Sequence, residues 1–171
     1  MQIRASSFKG NCPPCVVDSN HKVHSHGSYP RYANCDDQAQ EDIRRFLCVP
    51  CGHTLSVLPD HFLPYRAVAV PLMEKYFDAQ ADPGTVPEPS ATQKEKGCLK
   101  RAWNRFGLRV AALTAVLGQM LQRRACASKP CWSALRRQGN LAAILRQLAQ
   151  PFNTSLLHDY LCLRPWPANT G

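Results

Sequence analysis

Four cysteines in the first third of the chain have the spacing of a zinc site. Cys12 and Cys15 form one Cys-x-x-Cys pair, and Cys48 and Cys51 form a second, with Gly52 directly after it. Zinc binds four soft or borderline ligands in a tetrahedron, and each Cys-x-x-Cys turn supplies two thiolates. The two pairs therefore predict one structural Zn²⁺ held by Cys12, Cys15, Cys48 and Cys51. Because this shell is complete, we expect the ion to stabilise the fold and not to carry out chemistry.

Neighbouring residues leave other ligand sets open. The candidates for replacing one ligand are Cys35, His21, His24 and His26. Any such replacement would mean that one cysteine of the two pairs does not bind the metal. A finger with two cysteines and two histidines needs about twelve residues between its pairs, whereas five separate Cys15 from His21. A zinc deaminase would need a His-x-Glu motif, and a thioredoxin-like pair would need a βαβ unit. The sequence offers neither.

The composition is that of a cytoplasmic protein without a disulfide framework. The chain has 171 residues, 44% of them hydrophobic, and an odd number of cysteines, nine. Its first residues do not resemble a signal peptide, and the longest apolar stretch, residues 110–121, is too short to span a bilayer. We therefore expect no membrane association and cysteines that bind metal or are simply buried. Simple burial or chance is expected for Cys98, Cys126, Cys131 and Cys162.

Positive charge is concentrated in the second half of the chain. The net charge is +9, and residues 93–171 hold thirteen Lys or Arg but two acidic side chains, Glu95 and Asp159. Residues 1–60 hold six Lys or Arg and six Asp or Glu, so their charges balance. This asymmetry favours a protein that binds nucleic acid. A basic surface that serves only solubility is the simpler alternative.

The hydrophobic pattern predicts a β-rich front and a helical back, which is an α+β protein. Strands are predicted at residues 43–47 and 54–58, on either side of the second cysteine pair. The predicted regions are a zinc ribbon over residues 1–60, a connecting helix and proline-rich linker over residues 61–92, and a basic helical region over residues 93–171.

Helices are predicted where apolar residues recur at three- and four-residue steps. The first covers residues 65–80, with Pro71 at a kink or at its true start. The next is long and amphipathic, has a capping box at Ser90 or at Thr92, and could be divided at Gly107. Shorter helices are predicted over residues 133–138, 141–150 and 155–163.

The first cysteine-rich region resembles the N-terminal zinc ribbons of bacterial insertion-sequence transposases. The matching segments are residues 12–15, residues 26–31 (His-Gly-Ser-Tyr-Pro-Arg) and residues 44–54 (Arg-Arg-Phe-Leu-Cys-Val-Pro-Cys-Gly-His-Thr). The region is still more similar to small uncharacterised proteins related to these transposases, in which a Leu-Pro…Pro-Tyr-Arg segment follows the ribbon, as at residues 58–66 here. A looser resemblance to a helix-turn-helix places Lys100-Arg101-Ala102-Trp103 in the position of its recognition helix.

This resemblance implies binding of double-stranded DNA near transposon ends, with a transposase or a second copy of the chain as a further partner. It does not imply catalysis, because residues 93–171 lack the acidic side chains with which a three-carboxylate transposase domain binds its divalent metals. We therefore expect a protein that is not an enzyme and has no small-molecule substrate.

A basic side of the long helix supplies the expected DNA contacts. Lysine and arginine there would contact phosphates, and Asn104 and Arg105 have the chemistry to read base edges. The predicted set is Lys94, Lys96, Lys100, Arg101, Asn104, Arg105 and Arg109 on the helix, with Arg31, Arg44 and Arg45 on the ribbon. The same charges would also serve to solvate the outer face of a core helix.

Two further functions stay open at this point. A zinc-stabilised protein-interaction module would expose an apolar patch within residues 141–163. A redox or metal-handling protein would use the Cys-x-x-Cys pairs themselves, with reversible disulfides and exchangeable metal.

Overall fold

A computed structural model of the chain describes residues 2–4, 11–15, 17–64, 66–121, 127–149, 152 and 154–158. Its first part is a four-stranded sheet with the strand order β1-β4-β3-β2. The strands are β1 (Gln2–Arg4), β2 (Val23–Arg31), β3 (Glu41–Cys48) and β4 (His53–Leu58). β2, β3 and β4 pair antiparallel, and β1 adds to the free edge of β4 in parallel. Helices follow, so the predicted α+β class is confirmed.

Both predicted strands are present and are slightly longer than predicted. They are β3 and β4, joined by the turn that holds the second cysteine pair. β1 was not predicted, because three residues are too few to show an alternating pattern. Its parallel pairing with β4 is a contact between distant parts of the chain.

One cluster of buried apolar residues lies on one side of the β3-β4 hairpin. Ile43 of β3, Leu58 of β4 and Phe62, which follows β4, are completely buried. Tyr29 of β2 and Ala33 pack against them. Phe46 of β3 is also buried, as are Leu55 and Val57 of β4. Small modules of this kind commonly rely in addition on a metal or on packing against a neighbour.

The helices are α1 (Val70–Ala81), α2 (Gln93–Leu121), α3 (Ser128–Arg136) and α4 (Leu141–Ala149). Pro71 lies in the first turn of α1, where its missing N–H has no intrahelical partner to lose. It therefore marks the start of the helix. α3 begins five residues earlier than predicted. Pro130 lies in its first turn, where a backbone N–H has no intrahelical partner, so the proline does not interrupt the helix. Residues 154–158 are not helical, and the rest of the helix predicted over 155–163 lies outside the described residues.

The long helix α2 is continuous and begins with the second of the two predicted capping boxes. The backbone N–H of Thr92 donates to Glu95 Oε2 (2.9 Å), and the N–H of Glu95 donates to Thr92 Oγ1 (3.3 Å). Gly107 does not divide the helix. A Cβ at this position would lie 3.0 Å from Ser128 Oγ at the start of α3, so Gly107 permits the close approach of two helices.

Aromatic side chains hold the helices together. The Phe77 ring of α1 lies 4.9 Å from Trp103 and 5.6 Å from Phe106 on α2, and 5.0 Å from Trp132 on α3. Apolar residues of α4, among them Leu141, Ile144, Leu145 and Leu148, complete this core. Among the described residues, no helix is long and apolar enough to cross a membrane.

Polar contacts join the sheet to the helical part. Arg31 at the end of β2 donates from Nη2 to the carbonyl oxygens of Leu63 (2.6 Å) and Arg66 (2.8 Å). The N–H of Ala69, just before α1, donates to Asn34 Oδ1 at 2.7 Å. These bonds fix the loop after β2 against the segment that leads into α1.

Asp78 of α1 connects the core to α3. Its carboxylate accepts hydrogen bonds from Trp132 Nε1 (2.8 Å) and from Arg136 Nε (2.9 Å). We expect Asp78→Ala to lower the free energy of unfolding by about 2 kcal/mol, chiefly because it leaves the buried indole N–H of Trp132 without an acceptor. Arg136 loses one partner but keeps Glu74 and the carbonyl oxygen of Gly139. Urea denaturation measures this loss of stability. The matched variant Asp82→Ala, at an exposed position at the end of the same helix, should change it by less than about 0.5 kcal/mol; equal losses would contradict the assignment.

Candidate metal centre

Three cysteine sulfurs and one imidazole converge at the end of the β3-β4 hairpin. Cys48 ends β3, Cys51 lies in the turn that follows, and Cys15 and His21 belong to the segment before β2. Their ligand atoms all lie within 4.8 Å of one another. The pairing of Val23 with Cys48 places the start of β2 beside the end of the hairpin. The sheet register therefore brings the two halves of the cluster together.

The hairpin half of the cluster is set by its local sequence. Gly52 has a φ of +64°, and its N–H donates to the carbonyl oxygen of Val49 at 3.2 Å. Only glycine adopts this left-handed conformation without strain. The resulting tight turn directs the sulfurs of Cys48 and Cys51 to the same place.

A second turn presents His21 to the sulfurs. Asp18 Oδ1 accepts from the N–H of Asn20 (2.9 Å), and the Asp18 carbonyl accepts from the N–H of His21 (3.1 Å). His21 Nδ1 then lies 3.1 Å from Cys51 Sγ, and its Nε2 lies 3.5 Å from Asp18 Oδ2. Metal-bound histidines commonly donate their other ring N–H to a carboxylate, which fixes the tautomer and the ring orientation. Asp18 is placed for that role.

The dimensions of the cluster fit a tetrahedral metal ion. Zn–S bonds of about 2.3 Å in a tetrahedron separate two sulfurs by roughly 3.8 Å. The sulfurs of Cys15 and Cys51 lie 3.5 Å apart. Cys15 and Cys48 are buried, with exposed fractions of 1% and 0%. His21 and Cys51 are partly exposed, so the four residues could hold a metal ion at the edge of the protein interior.

Two sulfurs of the cluster, those of Cys15 and Cys51, differ in how readily they lose a proton. Burial raises the pKa of Cys15, but hydrogen bonds from the N–H groups of Asp18 and Val17 and from the thiols of Cys48 and Cys51 outweigh it and lower the pKa to about 6. Burial raises the pKa of Cys51, and its contacts with Cys15 and Cys48 raise it further, to about 12. A metal ion bound near neutral pH must therefore displace the Cys51 proton. We expect acidification to weaken binding, because protons compete for the same sulfurs.

Cys12 lies beside the cluster and not in it. Its Sγ donates to the carbonyl oxygen of Val23 at 3.1 Å, and the residue is exposed. The structure thus brings together three of the four predicted ligands and adds His21, which the sequence left as an alternative. The signal that could have favoured His21 is the turn-forming Asp18-Ser-Asn segment directly before it. A metal-binding role for Cys12 stays a prediction.

The other ligand candidates lie elsewhere. His24 and His26 are exposed on β2. The sulfur of Cys35 lies 4.0 Å from that of Cys98 on α2. Cys131 is buried in the helical core, as expected, whereas Cys126 and Cys162 lie outside the described residues.

The predicted DNA-binding side chains differ in how the fold uses them. Several have partners within the protein: Arg31 bonds to the carbonyls of residues 63 and 66, Lys94 to Asp36, Arg101 to Cys98, Arg105 to His158 and Arg109 to Thr154. Arg44 and Arg45 lie over the rings of Phe46 and Tyr29, at 5.8 and 6.0 Å from the ring centroids. Lys96, Lys100 and Asn104 are exposed at four-residue steps on α2 and share one face.

The fold and the cluster define an α+β protein with a Cys/His group that could hold a metal ion. A family model described as "Domain of unknown function (DUF6431)" matches residues 12–101, more than half of the chain. The chain therefore belongs to the DUF6431 family. The matched range includes the whole Cys/His cluster, α1 and the start of α2. No curated protein and no solved structure shows a significant match.

The fourth ligand can be identified with Co²⁺ as a spectroscopic probe. We expect His21→Ala to weaken Co²⁺ binding at least tenfold and to change the visible absorption, because the ion loses its nitrogen ligand. Cys12→Ser should leave both the affinity and the sulfur-to-cobalt charge-transfer intensity unchanged. If Cys12→Ser weakens Co²⁺ binding and His21→Ala does not, the metal is bound by the four cysteines that the spacing predicts.

Asp18 should act on the metal through His21. Asp18→Asn keeps an oxygen for the N–H of Asn20 but removes the negative charge beside His21 Nε2. We expect metal affinity to fall about tenfold, measured by competition with a chelator. Asp42→Asn, an equal change of charge at an exposed position of β3, is the matched control. Equal effects of the two variants would mean that net charge alone is responsible.

Proposed function

We propose that this chain is a zinc-stabilised DNA-binding protein, in which Zn²⁺ stabilises the sheet and the outer face of α2 contacts the duplex. The observation that carries the proposal is the exposed row of Lys96, Lys100 and Asn104, which follows a Cys/His cluster in the same chain. Arg101 and Arg105 are also exposed and flank this row.

Zinc is the ion that best suits the donor set. Thiolate and imidazole ligands favour zinc over the hard cations Mg²⁺ and Ca²⁺, which prefer oxygen. Three sulfurs and one nitrogen fill the four positions of a structural zinc site and leave none for a substrate. The proposed role of the ion is therefore to close the segment before β2 onto the hairpin, and not to catalyse a reaction.

The exposed face of α2 has the chemistry of a DNA contact surface. An α-helix fits the major groove, where an asparagine side chain can pair with adenine. Lys96 and Lys100, which lie two turns and one turn before Asn104 on the same face, would reach phosphates and make affinity depend on salt. The charge of residues 93–171, with thirteen Lys or Arg against two acidic side chains, supports attraction to a polyanion.

The resemblance of the cysteine-rich region to transposase zinc ribbons supports DNA as the partner and transposition as the setting. In this proposal the chain binds DNA of a mobile element but performs no strand transfer. A transposase or a second copy of the chain is its proposed protein partner.

A protein-interaction module is the second candidate, and a specific observation favours it. Leu108 and Val116 on α2 have exposed fractions of 85% and 45%. The apolar patch expected within residues 141–163 is not exposed in the described part of that range, where Leu141, Ile144 and Leu156 are buried. In this second candidate, the interaction surface would include Leu108 and Val116 on the second half of α2.

A salt series separates the two candidates. We expect the zinc-loaded chain to bind a short mixed-sequence duplex, and the double variant Lys96→Gln/Lys100→Gln to bind at least roughly tenfold more weakly at about 50 mM salt. The slope of log affinity against log salt should become shallower by about two, because two phosphate contacts are lost. Fluorescence anisotropy measures both quantities.

The matched control is Lys75→Gln/Lys129→Gln, which removes the same charge from exposed positions on α1 and α3. It should retain the slope of the unmodified chain. If both double variants lose the same DNA affinity, the binding depends on the net charge of the protein and not on a defined surface of α2. One bound zinc with no DNA affinity at low salt would overturn DNA binding and favour the interaction module.

A further inference from the structure

A second pair of cysteines lies where the sheet meets the helical part. Cys35 belongs to the loop after β2, and Cys98 lies in the second turn of α2. Their sulfurs are 4.0 Å apart although 63 positions separate them in the chain. Both side chains are half-buried, so they are held near each other while solvent still reaches them. This pair is separate from the Cys/His cluster.

The surrounding contacts hold the two sulfurs together. Asp36, next to Cys35, accepts hydrogen bonds from Thr92 Oγ1 and from Lys94 Nζ (3.2 Å), both at the start of α2. Asn34, on the other side of Cys35, accepts from the N–H of Ala69 at 2.7 Å. The loop is therefore anchored on both sides of Cys35. The proximity of the sulfurs follows from this docking.

We propose that Cys35 and Cys98 form a redox-sensitive disulfide that locks the loop after β2 onto α2. A disulfide needs the two sulfurs to approach to about 2.05 Å. From 4.0 Å this requires a closing movement of about 2 Å, within the range of side-chain rotation combined with a small adjustment of the loop. The oxidant is a low-molecular-weight disulfide of the glutathione class.

The two sulfurs have different roles in the exchange. The Cys35 thiol donates to the carbonyl oxygen of Ala67 at 3.1 Å, which favours its protonated form. Burial and the neighbouring Cys98 also raise the pKa of Cys35. Arg101 Nη2 donates to Cys98 Sγ at 3.2 Å and orients that sulfur. Cys98 is therefore the first nucleophile and Cys35 the resolving thiol.

The reaction balances as two thiol–disulfide exchanges. The Cys98 thiol loses its proton to solvent, and its thiolate attacks one sulfur of the small disulfide. The S–S bond of the small disulfide breaks, a mixed disulfide forms on Cys98, and the leaving thiolate takes up a proton to become a small thiol. Cys35 then loses its proton and attacks the Cys98 sulfur, which forms the Cys35–Cys98 bond and releases the second small thiol. The two protein thiols are oxidised, and the small disulfide is reduced.

Oxidation of the full zinc-loaded chain with excess glutathione disulfide tests the proposal. The expected product has lost two hydrogen atoms, contains a Cys35–Cys98 crosslink in its peptide map and retains its zinc. Cys35→Ser should instead accumulate glutathione on Cys98, because the resolving thiol is missing. Cys12→Ser, which alters an exposed cysteine outside the pair, should leave the crosslink unchanged.

Thermal unfolding provides a second readout. The crosslink closes a long loop, so oxidation should raise the Tm by roughly 5–10 °C. Dithiothreitol should reverse the rise, and neither Cys35→Ser nor Cys98→Ser should show it. The proposal is overturned if both thiols of the unmodified chain stay reduced under excess glutathione disulfide. It is equally overturned if the dominant crosslinks join cysteines of the Cys/His cluster with loss of zinc. Both of these results come from the unmodified chain and do not depend on the folding of a variant.

Discussion

The constraint on which the end of the sheet depends is the close approach of three cysteine sulfurs, two of them on buried residues. Burial and repulsion from the neighbouring sulfurs oppose the ionisation of Cys51 beside Cys15 and Cys48. A divalent metal removes this opposition by binding the thiolates directly. The sheet buries apolar side chains such as Ile43, Leu55 and Leu58, and small modules commonly use a metal in addition. In the proposed function, metal binding and folding of this part are therefore coupled.

The sheet and the helices meet through hydrogen bonds as well as apolar packing. Arg31 reaches two carbonyl oxygens of the segment before α1, and Asn34 accepts an N–H of the same segment. Asp36 joins the loop to the start of α2. Such directional contacts fix geometry more strictly than apolar packing does, because each needs a defined distance and angle. They explain why two cysteines far apart in sequence meet at this junction.

The basic residues of the chain serve two different purposes. Arg105 and Arg109 bond to His158 and Thr154 and so hold the last described segment against α2. Arg136 pairs with Asp78 inside the helical part. Lys96 and Lys100 of α2, by contrast, extend from an exposed face of the helix. They are the lysines on which the proposed contact with DNA depends. Total charge therefore overstates the size of a binding surface, because guanidinium groups with several donors are also well suited to joining elements within a fold.

The sequence by itself determined the features that depend on neighbouring residues. The hairpin turn around Cys48 and Cys51 follows from the left-handed glycine, and the start of α2 follows from a capping box that spans four residues, 92–95. The α+β class follows from the apolar periodicity. Only the tertiary structure decided that His21 joins the sulfurs and that Cys35 meets Cys98. These contacts depend on strand register and loop docking, which arise from many weak interactions between distant segments and leave no periodic pattern in the sequence.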